Sequence, residues 1–284
     1  MASYRGIILV LLINFFYHTM NQMFVPTLPL YITQLGGGEV VVGVLVGLLS
    51  LGAVVAKVYF GKVATRRSNL LVLRVGLVVA TLVLLLYLPF WGFGFLALVR
   101  LLQSIGLAGF ITGGQGLLAD YSKPTNRGLL FGVFSAMIGL GMMVGPIFGS
   151  YLMENFGFPT LFVGASAVVG VAALLSFLIA DEPQEDDLKR ADYEPHPPWQ
   201  NRNLLIISAS MLFAATVQGA TMSMLTLHAL EVGITSSALF FALFAIMFTV
   251  GGAVSGHLSD QWGRGALVVP GFISLIIGLG SVPG

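Results

Sequence analysis

Nine long apolar runs separated by short polar breaks dictate what this chain can become. They lie near residues 6–33, 40–61, 69–89, 94–119, 127–152, 159–180, 203–229, 236–256 and 265–281. A helix needs about 20 residues to cross bilayer hydrocarbon, and each run is close to that length. The breaks carry turn signals such as Gly36-Gly37-Gly38, Pro89-Phe90-Trp91-Gly92, Lys123-Pro124-Thr125-Asn126 and Asn155-Phe156-Gly157. Only 9% of residues are charged, against about 25% in a soluble domain. The solvent for most of the chain is therefore lipid, and the expected fold class is an all-α integral membrane bundle. The first run passes residue 25, holds Asn14, His18, Asn21 and Gln22, and lacks a small-x-small cleavage site. It reads as a spanning helix, not a signal peptide.

Several chemistries are excluded or disfavoured. There are no cysteines, so disulfides, thiolate metal sites and cysteine nucleophiles are absent. No Walker-type glycine loop is present, which argues against an ATP-driven pump. His18, His196, His228 and His257 are scattered, and no paired carboxylates sit in the apolar runs. A membrane enzyme or polytopic sensor is accordingly disfavoured, and no cofactor, metal or nucleic-acid partner is expected.

Basic residues suggest orientation. With the N-terminus in the cytoplasm, inside breaks and helix ends hold Arg5, Lys57, Lys62, Arg66, Arg67, Arg74, Lys123, Arg127, Lys189, Arg190, Arg202 and Arg264, which is 12 of the 13 Lys and Arg. The outside breaks near 34–39, 89–93, 153–158 and 230–235 hold none. This asymmetry predicts a multi-pass cell (inner) membrane protein with its N-terminus inside. Residues 181–202 hold seven acids, three bases and Pro183, Pro195, Pro197 and Pro198, the composition of a solvated linker. The expected organisation is a six-helix bundle over 1–180, a cytoplasmic linker over 181–202 and a partial second bundle over 203–284.

The second bundle repeats the first. Gly61-Lys62-Val63-Ala64-Thr65-Arg66-Arg67-Ser68-Asn69 returns, changed, 195 positions later as Gly256-His257-Leu258-Ser259-Asp260-Gln261-Trp262-Gly263-Arg264. Thr27-Leu28-Pro29-Leu30 faces Thr226-Leu227-His228-Ala229 at an offset of 199. A duplicated six-helix unit predicts twelve helices, whereas the chain stops within or just after its ninth run. The expectation is a truncated chain that does not transport by itself.

These motifs resemble the major facilitator superfamily, nearest to twelve-helix drug:proton antiporters and related efflux permeases. The break after the second run is similar to the family pattern Gly-x-Leu-x-Asp-Arg-x-Gly-Arg. Gly61 and Arg66 match it, but Thr65, Ser68 and Asn69 replace Asp, Gly and Arg. The second copy restores Gly256, Leu258, Asp260, Gly263 and Arg264. Arg100-Leu101-Leu102-Gln103-Ser104-Ile105-Gly106 resembles Arg-x-x-Gln-Gly-x-Gly. Asp120 through Gly128, with Pro124 and Arg127, is similar to Asp-x-x-x-Pro-x-x-x-Arg-Gly in tighter spacing. Gly141-Met142-Met143-Val144-Gly145-Pro146-Ile147-Phe148-Gly149 matches Gly-x-x-x-Gly-Pro-x-x-Gly, a pattern the family associates with exporters.

The resemblance implies alternating access, small-molecule substrates, protons as the coupling ion and a monomer in the bilayer. It makes the two repeated loops cytoplasmic latches. It gives Arg100, about 8 Å into the membrane by helix rise, a part in proton coupling or substrate charge sensing. A cation within a spanning segment is costly, by at least about 2–3 kcal/mol near the centre. Snorkelling to the outer interface is the competing reading. Asp120 is expected to pair with Arg127 or with bases of the first loop.

Helix one carries Asn14, Tyr17 or His18, and Asn21 on one face. With Gln103, and with Gln218 and Thr221 of the seventh run, these are the substrate-cavity candidates. No Asp or Glu sits deep in the runs, which leaves His18 and Arg100 as the coupling candidates. The competing transport reading is a sugar or metabolite importer or uniporter.

Overall fold

The computed structural model describes residues 2–123, 125–180 and 238–280, with isolated positions between 202 and 213. Gln218, Thr221, nearly all of the 181–202 linker and most of the expected seventh run lie outside the described residues. Every described element is an α-helix: α1 (Ala2–Gln34), α2 (Glu39–Arg66), α3 (Asn69–Leu85), α4 (Phe93–Tyr121), α5 (Arg127–Phe177), α6 (Ala238–Trp262) and α7 (Arg264–Gly280). Tyr4–Gln34, Glu39–Arg66, Phe93–Tyr121 and Arg127–Phe177 are long and apolar enough to cross a membrane.

α5 is 51 residues long and is broken at Gly157, where φ 81° and ψ 173° leave the helical region. A side chain at that φ would be strained, so glycine supplies the reversal. The turn expected at Asn155-Phe156-Gly157 thus divides α5 into arms over 127–156 and 158–177. Counted by arms, the described helices carry eight of the nine expected runs.

The repeated motif is helical where the sequence suggested a loop. α2 continues to Arg66 and α6 to Trp262, so only the last residues of each copy turn. Lys62 and Arg66 prolong α2 because cations are favourable near a helix C-terminus and keep those turns wet. The two turns then differ. Ser68 is extended, and its Oγ accepts from the N–H groups of Leu70 and Leu71, capping α3. Gly263 instead turns with φ 84°.

Residues 1–182 and 245–284 form one compact unit, and 183–244 form another. All the geometry below belongs to the first. Within it α1 packs most extensively on α5, and α4 packs on α3 and α2. Lipid offers little hydrophobic drive between spanning helices, so close backbone approach at small residues carries the packing. A Cβ on Gly145 would lie 2.6 Å from Gln22 Cβ and from the Thr19 carbonyl oxygen. Gly141 and Gly149 press on α1 in the same way. On the opposite side of the bundle, Gly76 of α3 meets the backbone of Gly109 and Phe110.

An aromatic cluster fills the core between α1, the turn after α3 and the second arm of α5. Phe24, Tyr31, Tyr87, Phe158 and Phe162 make it, with Tyr31 and Phe162 centroids 4.9 Å apart and Tyr87 and Phe162 5.2 Å apart. Such pairs add to the area they bury.

Candidate functional site

Arg100 lies in the first turns of α4 and is only 5% exposed. It does not snorkel. Its Nε donates to the Leu45 carbonyl of α2 at 2.9 Å, and an Nη donates to Gln103 Oε1 at 2.9 Å. Gln103, one turn on and 3% exposed, also accepts from the Tyr87 hydroxyl at 2.7 Å. Among the described residues no carboxylate bonds to Arg100. The cation is held by neutral oxygens, which orient it without discharging it.

The helix-one candidates separate. Asn14 is fully buried, and its Nδ2 donates to the Phe134 carbonyl of α5 at 2.7 Å. Among the described residues its Oδ1 has no partner, and neither has the buried Thr19 Oγ1. Tyr17 is 2% exposed and stacks on Phe110 of α4, with centroids 3.7 Å apart. Asn14 and Tyr17 are therefore placed in the bundle core, not on an open wall. His18 and Asn21 are half-buried. His18 meets the Phe110 ring edge-on at 5.7 Å and sits against Gly141 of α5. Helical periodicity puts these residues near one face, but α5 closes over Asn14 and leaves His18 and Asn21 at its edge.

The α5 motif explains that closure. Gly141, Gly145 and Gly149 form the seam with α1. Pro146, within the same helix, removes one backbone donor and loosens the ladder there.

The two copies of the repeated motif behave differently. In the second, Asp260 reaches the start of α5. Its Oδ1 accepts from Gly128 N–H and its Oδ2 from Leu129 N–H, both at 2.7 Å. The N-cap residue of α5, Asn126, makes no side-chain cap bond. Asp260 supplies the missing acceptors from another helix, and its charge faces the positive end of the dipole. Gly256 allows this approach, since a Cβ there would lie 2.7 Å from Gly132 Cα. Beside the contact is a groove of about 490 Å³ whose lining includes Arg127, Phe131, Ser135, Ser255 and Ser259.

In the first copy Thr65 stands where the acid would be. Its hydroxyl donates back to the Gly61 carbonyl at 3.0 Å and, among the described residues, crosses to no other helix. Gly61 has open space around its missing Cβ, and Arg66 is exposed. Asn69, in the place of the motif's last Arg, donates to Asp120 Oδ2 at 2.6 Å. Arg127 donates to Ser122 Oγ at 2.9 Å and to the Ala119 carbonyl at 3.2 Å. Arg127 thereby closes the C-terminus of α4, where unpaired carbonyls favour a cation. Arg264 opens α7 after the Gly263 turn.

These motifs belong to a known family. A family described as Major Facilitator Superfamily matches residues 10–283. The chain belongs to that superfamily. It is 26% identical over 162 residues to the quinolone resistance protein NorA of Staphylococcus aureus, a match covering 57% of this chain and 41% of that protein. It is 27% identical over 291 residues to the multi-drug resistance efflux pump PmrA of Streptococcus pneumoniae serotype 4, covering 93% of this chain and 69% of the pump. The chain thus spans less than half the length of its quinolone-resistance relatives. These relatives are named for drug resistance and efflux, not for enzymatic activity.

The superfamily motifs did not announce Tyr87, Leu45 or Phe110. Tyr87 sits two residues before Pro89 at the end of a run, where a tyrosine reads as an interfacial residue. Only the fold turns it inward.

Proposed function

We propose that this superfamily member is a secondary transporter that exports small organic molecules, coupled to protons, by alternating access of two six-helix halves. The observation that carries this reading is the Asp260 contact with the start of α5. In this reading α5 belongs to the first half and α6 to the second, so their contact opens and closes as the halves rock. Two charge-assisted bonds at a part-exposed site together contribute roughly 1–3 kcal/mol. That is enough to bias a two-state equilibrium and small enough for substrate or proton binding to offset. The names of the relatives support drug-like substrates and the outward direction.

Coupling in this reading falls to His18 and Arg100. His18 sits half-buried beside Phe110 at the α1–α5 seam, and Arg100 is a buried cation with neutral partners. The test uses everted membrane vesicles holding a twelve-helix protein that includes this chain, a fluorescent drug-like amine and an imposed pH gradient; vesicles holding the 284-residue chain alone are expected to accumulate none. Accumulation that collapses with a protonophore is the expected result. Accumulation indifferent to the gradient would overturn proton coupling. A His18→Ala protein that keeps the wild-type pH dependence would exclude His18 as the coupling group and leave Arg100.

A further inference from the structure

Tyr87 lies outside every motif, in the turn after α3, and is fully buried. Its hydroxyl donates to Gln103 Oε1 at 2.7 Å, and the same oxygen accepts from Arg100 at 2.9 Å. An amide oxygen offers two lone pairs, so both are committed. Turning the amide over would set its NH₂ against the guanidinium, which can only donate. The Tyr87 hydroxyl fixes where that oxygen sits, and so where Arg100 finds its acceptor. Tyr87 is itself anchored: its backbone carbonyl accepts from the Tyr31 hydroxyl at 3.0 Å, and Phe24 and Phe162 pack against its ring at 5.4 and 5.2 Å. Tyr31, Tyr87, Gln103, Arg100 and Leu45 thus form one bonded chain from α1, through the turn after α3, to α4 and α2.

We propose that Tyr87 is a positioning residue for Arg100, acting through Gln103. The proposal rests on the reading of Arg100 as a coupling residue. Among the described residues this buried guanidinium bonds to neutral oxygens, and these hold its orientation. Among the described residues the titratable groups facing it are Tyr87 directly and Tyr31 behind it. α2 contributes only the Leu45 carbonyl to its bonds, and the second arm of α5 brings only the Phe158 and Phe162 rings to the cluster behind Tyr87.

The test separates the geometry from the coupling. Protein labelled with ¹⁵N-arginine is studied in lipid nanodiscs, and the signal of the Arg100 Nη–H bonded to Gln103 is assigned by its loss in Arg100→Lys. Tyr87→Phe removes the hydroxyl alone and should speed solvent exchange of that proton roughly tenfold, the scale of one lost buried hydrogen bond. Gln103→Leu should do the same, and the double variant should add little to either. Unchanged exchange in Tyr87→Phe, or fully additive effects, would overturn the positioning role. In the vesicle assay, Tyr87→Phe should displace the pH profile of transport in the direction that Arg100→Lys does. A displaced profile for Arg100→Lys with a wild-type profile for Tyr87→Phe overturns this inference alone. An undisplaced Arg100→Lys profile overturns the coupling reading of Arg100, whatever the exchange rates show.

Discussion

Thr65 and Asp260 occupy the same position of a repeated motif, and one atom-level difference separates their roles. The threonine hydroxyl bonds to its own helix at Gly61. The carboxylate crosses to the N–H groups of Gly128 and Leu129. A helix start needs acceptors, and an anion satisfies two donors and the dipole together. Asp260→Ala should therefore weaken the α5–α6 contact by roughly 1–3 kcal/mol. Thr65→Ala should cost less than about 0.5 kcal/mol, as a local helix bond does. A cysteine placed at Ser135, which lines the groove beside the contact, reports the difference. Its labelling rate should rise roughly tenfold in Asp260→Ala and stay level in Thr65→Ala. Equal rates in the two proteins would remove the latch from Asp260.

At the scale of elements, the glycines of α5 and α2 look alike in sequence and differ in place. Gly141, Gly145 and Gly149 lie against α1, whereas Gly43 and Gly47 of α2 have no neighbour within 4 Å among the described residues. Gly145→Ala puts a methyl group 2.6 Å from the Thr19 carbonyl oxygen, so α1 and α5 must part. The expected cost is about 1–3 kcal/mol, the range for overpacked cores. Gly43→Ala should be neutral or stabilising by about 0.5 kcal/mol, because alanine restricts the unfolded chain and favours helix. Thermal unfolding of the purified proteins in detergent measures both. Equal shifts would mean that the α1–α5 seam is not the close contact described. Spacing alone could not rank these stripes, since the same small-residue period serves a packed seam and an open face.

For the whole molecule, the bases gather at one end of the described helices. Arg67 and Lys123 are exposed there, and Glu39 and Trp91 are exposed by the turns at the other end. By the positive-inside rule, we propose that the basic end faces the cytoplasm. Because the chain contains no cysteine, each introduced one is a clean reporter. Arg67→Cys and Lys123→Cys should react with a membrane-impermeant maleimide only in inside-out vesicles, and Glu39→Cys and Trp91→Cys only in intact cells. The opposite pattern would invert the topology and, with it, the side on which the Asp260 latch closes.

The amino-acid order by itself settled the medium, the helical class and the family. Run length, charge scarcity and turn residues follow from the thickness of a bilayer and the cost of an unpaired backbone in it. Gly157 shows the strength of that reading, since the turn it marked is the break in α5. The repeated motif and the Arg100–Gln103 spacing were equally legible, being local patterns. The tertiary structure alone decided partners. It sent Tyr17 into a stack with Phe110, closed α5 over Asn14, set Arg127 on Ser122 at the end of α4, and turned Tyr87 onto Gln103. Helical periodicity gives a residue's angle about its own axis. Which neighbour covers that angle depends on contacts between residues far apart in the chain, and those exist only once the helices have packed.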